Sequence, residues 1–409
     1  MIRAPEIDFR PYDPGFAADP YPMYARLRDE SPVFRSTQLG LTLFTRHDDV
    51  RSLVLDARLA RTMDHVTDPQ ALVERRRAAG WDRLPNYSRY VRVNLLETEG
   101  PDHARVRRLV AAAFGPRRIR DLRDRIQKLV ERLLEVHTPE GRMDFVADLA
   151  APLPVHVIAE LLGWPEPERH RLRPWSAGLV RLYEKDHTSE DEERAEIAAG
   201  EFAAMLTHLA AERRAAPRDD LISALVAVCD AGERLSPDEL ISVCMLLLNA
   251  GHEATANAAS NGLWALLRHP EQLARLRENP ALLPSAVDEM LRYDAPLQLF
   301  HRYLIEDIEY AGFDLHAGEQ IGLLYGSANR DPRAFDRADE FDVGRVPNRH
   351  LAFGAGVHFC LGAQLARLEL EVLFGTLLAR LPMLRLDGAP PRYRPGLVFR
   401  GLECLRITW

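Results

Sequence analysis

Apolar residues recur at helical spacing over most of the chain beyond Pro101. The spacing predicts helices over about 102–113, 117–136, 142–162, 166–184, 189–214, 219–230 and 237–268, with Pro and Gly at most of the joins. Earlier in the chain, Asp19–Glu30 reads as a short amphipathic helix after prolines. Val33–Arg35 and Leu41–Thr45 alternate like a hairpin, and His47–Leu55 reads as a helix. From Leu59 to Val93 the pattern is irregular and charged, as in a binding loop or a plain surface excursion. After Asn279 the signal is mixed: a helix over Leu283–Tyr293, short strands near 299–310 and 319–325, then a coil rich in Pro, Arg and Asp. A terminal helix follows Cys360, and two short strands are expected at about 395–408. The sum is a mainly α fold, a large helical bundle with a minor β-sheet region, without repeats and with a single domain over residues 1–409.

The segment 237–268 carries the sharpest pattern. Ser236 can cap it, Pro237 suits the first turn, and Glu239 completes a capping box. Such a helix is about 45 Å long at about 1.5 Å per residue. Between Glu239 and Arg268 its only formal charge is Glu253, and the polar half after Ala250 excludes a membrane span, so it reads as a central core helix. Ala250-Gly251 weakens it by roughly 1 kcal/mol at the glycine. A thin turn there, beside a lone carboxylate, would let a ligand approach the backbone and receive protons. A glycine helix–helix contact next to a solvated Glu253 explains the same residues equally well.

A second concentration of chemistry is Phe353-Gly354-Ala355-Gly356-Val357-His358-Phe359-Cys360-Leu361-Gly362, followed by the helix-favouring run Ala363–Glu371. Two glycines let the backbone turn tightly. A cysteine at the mouth of a helix N-terminus is favoured as thiolate, and can act as nucleophile or soft metal ligand. A buried structural cysteine is the plain alternative. Glu289-Met290-Leu291-Arg292 sets a carboxylate and a guanidinium on one face of an apolar-flanked helix, with Arg345 as an available third member.

Composition narrows the classes. Nearly half of the 409 residues are hydrophobic, and the net charge of -8 argues against a general nucleic-acid binder. Four widely spaced cysteines without a CxxC pair suggest neither a zinc site nor a disulfide framework. No apolar leader or spanning segment is evident, and a cytoplasmic protein is the simplest expectation.

Taken together, these motifs resemble the cytochrome P-450 family of haem-thiolate monooxygenases. Phe353-Gly354-x-Gly356-x-His358-x-Cys360-x-Gly362 is similar to its haem loop with every position filled. Glu289-x-x-Arg292 resembles its K-helix motif, Ala250-Gly251-His252-Glu253 its oxygen-binding helix, and Ala328–Pro332, Phe335 and Phe341-Asp342 the coil before the loop. The likeness runs from Asp19 to Gly401, and the absence of an anchor fits the soluble bacterial type.

The resemblance implies haem b (iron protoporphyrin IX) with Cys360 as axial metal ligand, O2 as co-substrate, and thiolate donation that favours O–O cleavage. It nominates His103, Arg107, Arg302 and His358 for the propionates, and Phe353, Gly362, Ala250 and Gly251 as further cofactor contacts. Glu289, Arg292 and Arg345 become a structural triad. Glu253 and Thr255 are the catalytic candidates, with one departure: the family's usual threonine directly after the acid is Ala254 here, and Thr255 points about 100° away. By position, parts of 60–93 and 170–185 with Asn249, Ala250, Ala254, Pro296, Leu297, Leu299, Phe300, Val398 and Phe399 line the substrate pocket. Electrons would come from NAD(P)H through ferredoxin reductase and a ferredoxin, steered by Arg105, Arg107, Arg108, Arg117, Arg118, Arg120, Arg123 and Arg125, with Arg349 and Arg367 beside the loop.

The activity implied is hydroxylation or oxidation of a small organic natural product, polyketide-like (macrolide) or aromatic, in secondary metabolite biosynthesis. Oxidative phenol coupling and a non-catalytic haem-binding ligand sensor are the alternatives. A thiolate hydrolase would need a Cys–His dyad, and His358 projects the wrong way in an extended loop. A monomer with no nucleic-acid or membrane partner is expected.

Overall fold

The computed structural model describes residues 3–183, 187–227, 229–230 and 233–409. Residues 184 and 185, within the predicted helix 166–184 and pocket stretch 170–185, lie outside the described residues, as does residue 228 of the helix predicted over 219–230. The chain divides into two compact units: one of Met1–Ala60, Arg123–Leu153 and Glu253–Trp409, the other of Arg61–Leu122 and Pro154–His252. Eight helices carry the argument below: α1 (Tyr21–Glu30), α2 (Gly100–Ala113), α3 (Arg123–Glu135), α4 (Leu172–Arg181), α5 (Ser189–Ala215), α6 (Pro237–Arg268), α7 (Leu283–Tyr293) and α8 (Ala363–Arg380). Among the described residues no helix is long and apolar enough to cross a membrane.

The first unit holds a six-stranded sheet made of β1 (Glu6–Ile7), β2 (Val33–Ser36), β3 (Thr42–Phe44), β4 (Leu59–Ala60), β5 (Phe300–Leu304) and β6 (Gln320–Leu323), in the order β1-β2-β3-β6-β5-β4. The hairpin expected from alternation is β2 and β3, with Val33 opposite Phe44. β6 runs parallel to β3 and antiparallel to β5, tying the N-terminal hairpin to the C-terminal half. Alternate side chains feed two cores, as a period of two requires. Val33 and Phe44 join Val50, Leu53, Leu304 and Ile321, whereas Phe34 and Leu43 join Phe9, Tyr24, Leu27 and Leu299.

In the second unit α4 packs on α5, and the rings of Trp164, Trp175 and Phe202 meet at 5.2 to 6.1 Å. Thr188 and Asp191 form a capping box at the start of α5. Arg213 is fully buried and donates to Asp220 at 2.6 Å and to the Gly163 carbonyl at 2.9 Å, which satisfies a charge that burial would otherwise penalise.

α6 begins in the second unit and ends in the first, over the span its pattern predicts. The capping box is present: Glu239 N–H donates to Ser236 Oγ at 3.2 Å, and Ser236 N–H to the Glu239 carboxylate at 2.7 Å. Arg105 of α2 also pairs with that carboxylate.

The structure corrects the expected elements where long-range pairing outweighs local preference. Arg142–Asp144, expected as helix, is a strand beside Arg406–Thr408, which also pairs with Arg385–Leu386. Of the two strands expected at 395–408 only Arg406–Thr408 forms among the described residues; Phe399 makes an isolated bridge to Leu297. The helix expected over 117–136 breaks at Leu122. The irregular stretch 59–93 contains the helices Pro69–Ala78 and Pro85–Tyr90, and a helix over Pro270–Glu278 went unpredicted.

Candidate functional site

The cysteine loop is built by its glycines. Gly354 and Gly356 have φ of 65° and 69°, values that cost other residues steric strain. A Cβ on Gly356 would also stand 3.3 Å from Leu55 Cδ2. The Cys360 N–H donates to the Phe353 carbonyl at 2.9 Å and closes the loop. Gly362 then caps α8, whose first turn lies just beyond the sulfur. Cys360 is exposed, as are Val357 and Phe359, so the loop presents its thiol on an uncovered apolar bed. A thiolate in that setting is favoured by the helix N-terminus and can ligate a soft metal.

Beneath the loop the polar groups are tightly paired. Asp288 of α7 accepts from Arg367 Nε at 2.7 Å and lies 3.2 Å from His350 Nε2. Arg367 lies over the Phe353 ring at 4.5 Å, so this carboxylate positions the wall of the loop. Burial alone would push the Asp288 carboxyl up, but hydrogen bonds from His350 and Arg367 outweigh it and hold the group below its ordinary value. Glu289 and Arg292 are fully buried. Arg292 donates to both Glu289 oxygens at 2.7 and 2.8 Å, and to the carbonyls of Asn329, Ala338 and Glu340. Arg345 Nε reaches the same carboxylate at 3.0 Å, while Asp342 N–H and Asn348 Nδ2 supply further donors. The three residues thus clamp the coil that leads into the loop.

In the middle of α6, Glu253 meets Arg394 at 2.9 Å, and the same nitrogen donates to Asn257 Oδ1 at 2.6 Å. Gly401 makes this possible, since a Cβ there would collide with Asn257. Thr255 is buried, whereas Ala250 is exposed and Ala254 half-buried. Gly251 does not thin the helix toward an open space: its missing Cβ lets Ile158 approach, with Cδ1 3.1 Å from where a Cβ would be. The glycine helix–helix contact is therefore the one realised, and Gly251 is not displayed as a cofactor contact.

The remaining candidates fall as follows. Cys360, Phe353, His358, Gly362, Arg302, Glu253, Ala254 and Thr255 belong to the first unit; His103, Arg107, Asn249, Ala250 and Gly251 belong to the second. Arg302 is buried on β5, with its guanidinium 5.5 Å from the Phe300 ring centre, and His358 is half-buried in the loop. His103 and Arg107 lie four apart on α2, the first buried and the second half-buried. Leu297, Phe300, Val398 and Phe399 are half-buried, and Gln298 N–H donates to the Val398 carbonyl, so their segments run side by side. Leu299 instead packs among Phe34, Leu43, Leu324 and Leu397, so its side chain serves the core rather than a pocket; Pro296 is buried as well. Arg105 and Arg367 are held by Glu239 and Asp288, which removes them from a free basic patch.

Sequence reasoning missed Arg394, Asn257 and Asp288. Asn257 stands four residues after Glu253, a spacing visible in the sequence; Arg394 and Asp288 carry no local signal, since only the fold brings them to their partners.

An iron porphyrin needs a soft axial donor, an apolar bed and cations for its carboxylates. The first unit alone offers Cys360 for the first, Phe353, Val357 and Phe359 for the second, and Arg302 with His358 for the third. The residues present fit such a group.

Comparison with known proteins agrees. A family model described as Cytochrome P450 matches residues 179–400. The chain is 39% identical over 406 residues to Cytochrome P450 107B1 of Saccharopolyspora erythraea, covering 98% of this chain and 97% of that protein. It is 39% identical to Cytochrome P450 monooxygenase PikC of Streptomyces venezuelae, covering 99% and 94%. Among solved structures, the cytochrome P450 PksS of the bacillaene polyketide synthase of Bacillus subtilis 168 superposes with a TM-score of 0.88 at 36% identity, covering 98% of this chain and 99% of that one.

Proposed function

The chain belongs to the cytochrome P450 family, and from that premise we propose that it oxidises a small organic natural product at a haem held by Cys360. The enzyme is a monooxygenase of this family, whose cofactor is haem and whose oxidant is O2. The observation that carries the reading is the exposed Cys360 thiol at the mouth of α8, on a loop clamped from beneath by buried ion pairs.

Bound haem supplies an iron centre at which O2 is activated. Cys360 would hold that iron through its sulfur, whose negative charge the α8 N-terminus would stabilise. Arg302 and His358 of the first unit would hold the propionates, and Phe353 and Gly362 would border the ring; His103, Arg107 and Ala250 of the second unit are candidates from the sequence for the same group. Glu289, Arg292 and Arg345 keep the approach to the loop rigid and take no part in chemistry. Glu253 holds and delivers protons, and Arg394 fixes its carboxylate. Thr255, buried one place beyond Ala254, acts as a secondary hydroxyl on the same helix.

The substrate is a polyketide-like or aromatic molecule, with Ala254, Leu297, Phe300, Val398 and Phe399 of the first unit as its candidate contacts. PikC is named a monooxygenase, and PksS by its polyketide synthase, which supports that class. Electrons arrive from NAD(P)H through a ferredoxin reductase and a ferredoxin drawn by exposed arginines, Arg108, Arg117 and Arg120 of the second unit or Arg125 and Arg349 of the first, while Arg123 is held by Glu371. We further take the chain to act as one cytochrome P450 domain, as a monomer in the cytoplasm.

The test is spectral and then catalytic. The purified holoprotein should give the reduced carbonyl spectrum of a thiolate-ligated haem. A library of polyketides, aromatic metabolites and terpenes should include compounds that shift its Soret band. Turnover of those compounds with a surrogate ferredoxin and reductase should yield oxygenated product. Reduction that releases only peroxide with every Soret-shifting compound overturns the catalytic reading.

A further inference from the structure

Away from the cysteine loop, the first unit holds a cavity of about 300 Å³ at the C-terminal end of α6. Every residue that lines it belongs to that unit, and none comes from the loop or from the middle of α6. Such a volume suits a small molecule. One part of the wall is closed. Asp294 accepts from the Tyr21 hydroxyl and from Arg400 Nε, both at 2.7 Å, and from the Tyr393 hydroxyl. Arg400 donates its other two nitrogens to the Ala17 and Ala18 carbonyls. Both charges are answered inside the fold.

The rest of the wall is open. Arg330 is 4% exposed and lies over the Tyr293 and Tyr21 rings at 3.5 and 4.2 Å. Stacked in that way, a guanidinium keeps only its in-plane donors for other partners. Nε reaches the Tyr293 carbonyl and Nη1 reaches Asp339, but Nη2 makes no hydrogen bond among the described residues. Arg330 lines the cavity, and its Nη2 is not among the sealed, unpartnered atoms of the fold. Arg268, in the last turn of α6, is exposed, lies over the Trp264 ring at 5.3 Å and makes no ion pair among the described residues. Asp19 is exposed too; it accepts from the Tyr21 N–H at 3.2 Å and has no ion pair among the described residues. Asp339 is 72% exposed, so its 3.2 Å contact with Arg330 is a weak, hydrated one.

The formal charges of the wall balance: Arg268, Arg330 and Arg400 stand against Asp19, Asp294 and Asp339. A simple anion would face two weakly answered carboxylates, and a simple cation two guanidinium groups with open donors. A molecule with one charge of each sign meets both needs. We propose that this cavity binds a small zwitterion of the amino-acid type, its carboxylate on Arg268 and Arg330 Nη2 and its ammonium on Asp19 and Asp339. Charge-assisted hydrogen bonds of this kind are the strong ones. The site uses none of the residues assigned to the haem, so it stands independently of the monooxygenase reading.

The experiment titrates the holoprotein with glycine, β-alanine and 4-aminobutyrate, whose two charges lie progressively further apart. Acetate and methylammonium, each carrying one of the charges, are the controls at equal ionic strength. At least one zwitterion should bind by calorimetry with millimolar affinity or better, and should raise the unfolding midpoint with its concentration, while the Soret band stays in place. Acetate and methylammonium should bind about tenfold more weakly or not at all. Arg268→Gln and Asp19→Asn change exposed positions, so each should keep the ligand-free midpoint and weaken the zwitterion by about tenfold. The proposal is overturned if no member of the series binds, if either control binds as well as the best zwitterion, or if either variant binds it as wild type does. A Soret shift on binding places the ligand at the haem and overturns it as well. Failure of the monooxygenase reading looks different: the reduced carbonyl spectrum then lacks its thiolate signature before any ligand is added.

Discussion

The coil beneath the cysteine loop and the middle of α6 solve opposite problems. In the first, charge is buried and fully answered: Glu289 accepts from Arg292, Arg345, Asp342 N–H and Asn348, and both guanidinium groups spend their remaining donors on carbonyls. In the second, a half-buried carboxylate pairs with a partly exposed cation, and a neighbouring amide oxygen has no hydrogen-bond partner among the described residues. Buried and saturated polar networks hold one geometry. Groups left open can still bind, release or move a proton. The clamp fixes where the sulfur stands, and α6 keeps available what a reaction must use.

The largest effect should come from the atom the clamp serves. Cys360→Ala removes the sulfur proposed to hold the haem iron, so the thiolate carbonyl band should vanish and turnover fall to background. Because Cys360 is exposed, haem-free unfolding should move by no more than about 0.5 kcal/mol. A variant that keeps the thiolate band would break the assignment at its root. Next comes the clamp itself. Glu289→Ala strands two buried arginines and should cost about 3–5 kcal/mol by chemical unfolding. A loss under about 1 kcal/mol, the usual size for an exposed pair, would mean that the network does not behave as buried.

The two regions were also unequally readable from the sequence. The cysteine loop could be recognised because its requirements are local: positive-φ glycines, a capping position and a helix-favouring run within a few residues. The start of α6 was equally plain, since Ser236, Pro237 and Glu239 cap within one turn. Arg345 could be proposed for Glu289 but not proved, because fifty-six residues separate them and only the folded coil brings them together. Arg142–Asp144 was misread for the same reason: its partner strand, Arg406–Thr408, is at the other end of the chain. Gly251 was ambiguous, and the deciding fact, the approach of Ile158, depends on tertiary packing. Arg394 had no signal at all.

Asp288 offers a test between these extremes, because its carboxyl is held below the ordinary value of 3.8. A carboxyl lowered on folding stabilises the protein above its unfolded value, and that contribution is lost as the pH falls through the lowered folded value. Wild type should therefore lose stability on the acid side more steeply than Asp288→Asn. The variant should be weaker by about 1–2 kcal/mol at neutral pH, with the gap closing as acid is added. Parallel curves at all pH values would show that the Arg367 and His350 contacts do not depend on its charge.

The smallest expected change in stability belongs to Arg394, and there it is most informative. Its side chain is 46% exposed, so Arg394→Gln should alter unfolding by less than about 1 kcal/mol. If the pair only decorates the surface, nothing else should change. If it fixes the carboxylate that delivers protons, the variant should turn over several-fold more slowly and divert more O2 to peroxide, with a changed solvent isotope effect. Arg394→Lys, which keeps a cation but lacks the planar guanidinium whose one nitrogen reaches both Glu253 and Asn257, should fall between wild type and Arg394→Gln. Wild-type coupling in both variants would mean that the openness of α6 serves the substrate alone and that the position of Glu253 is not limiting.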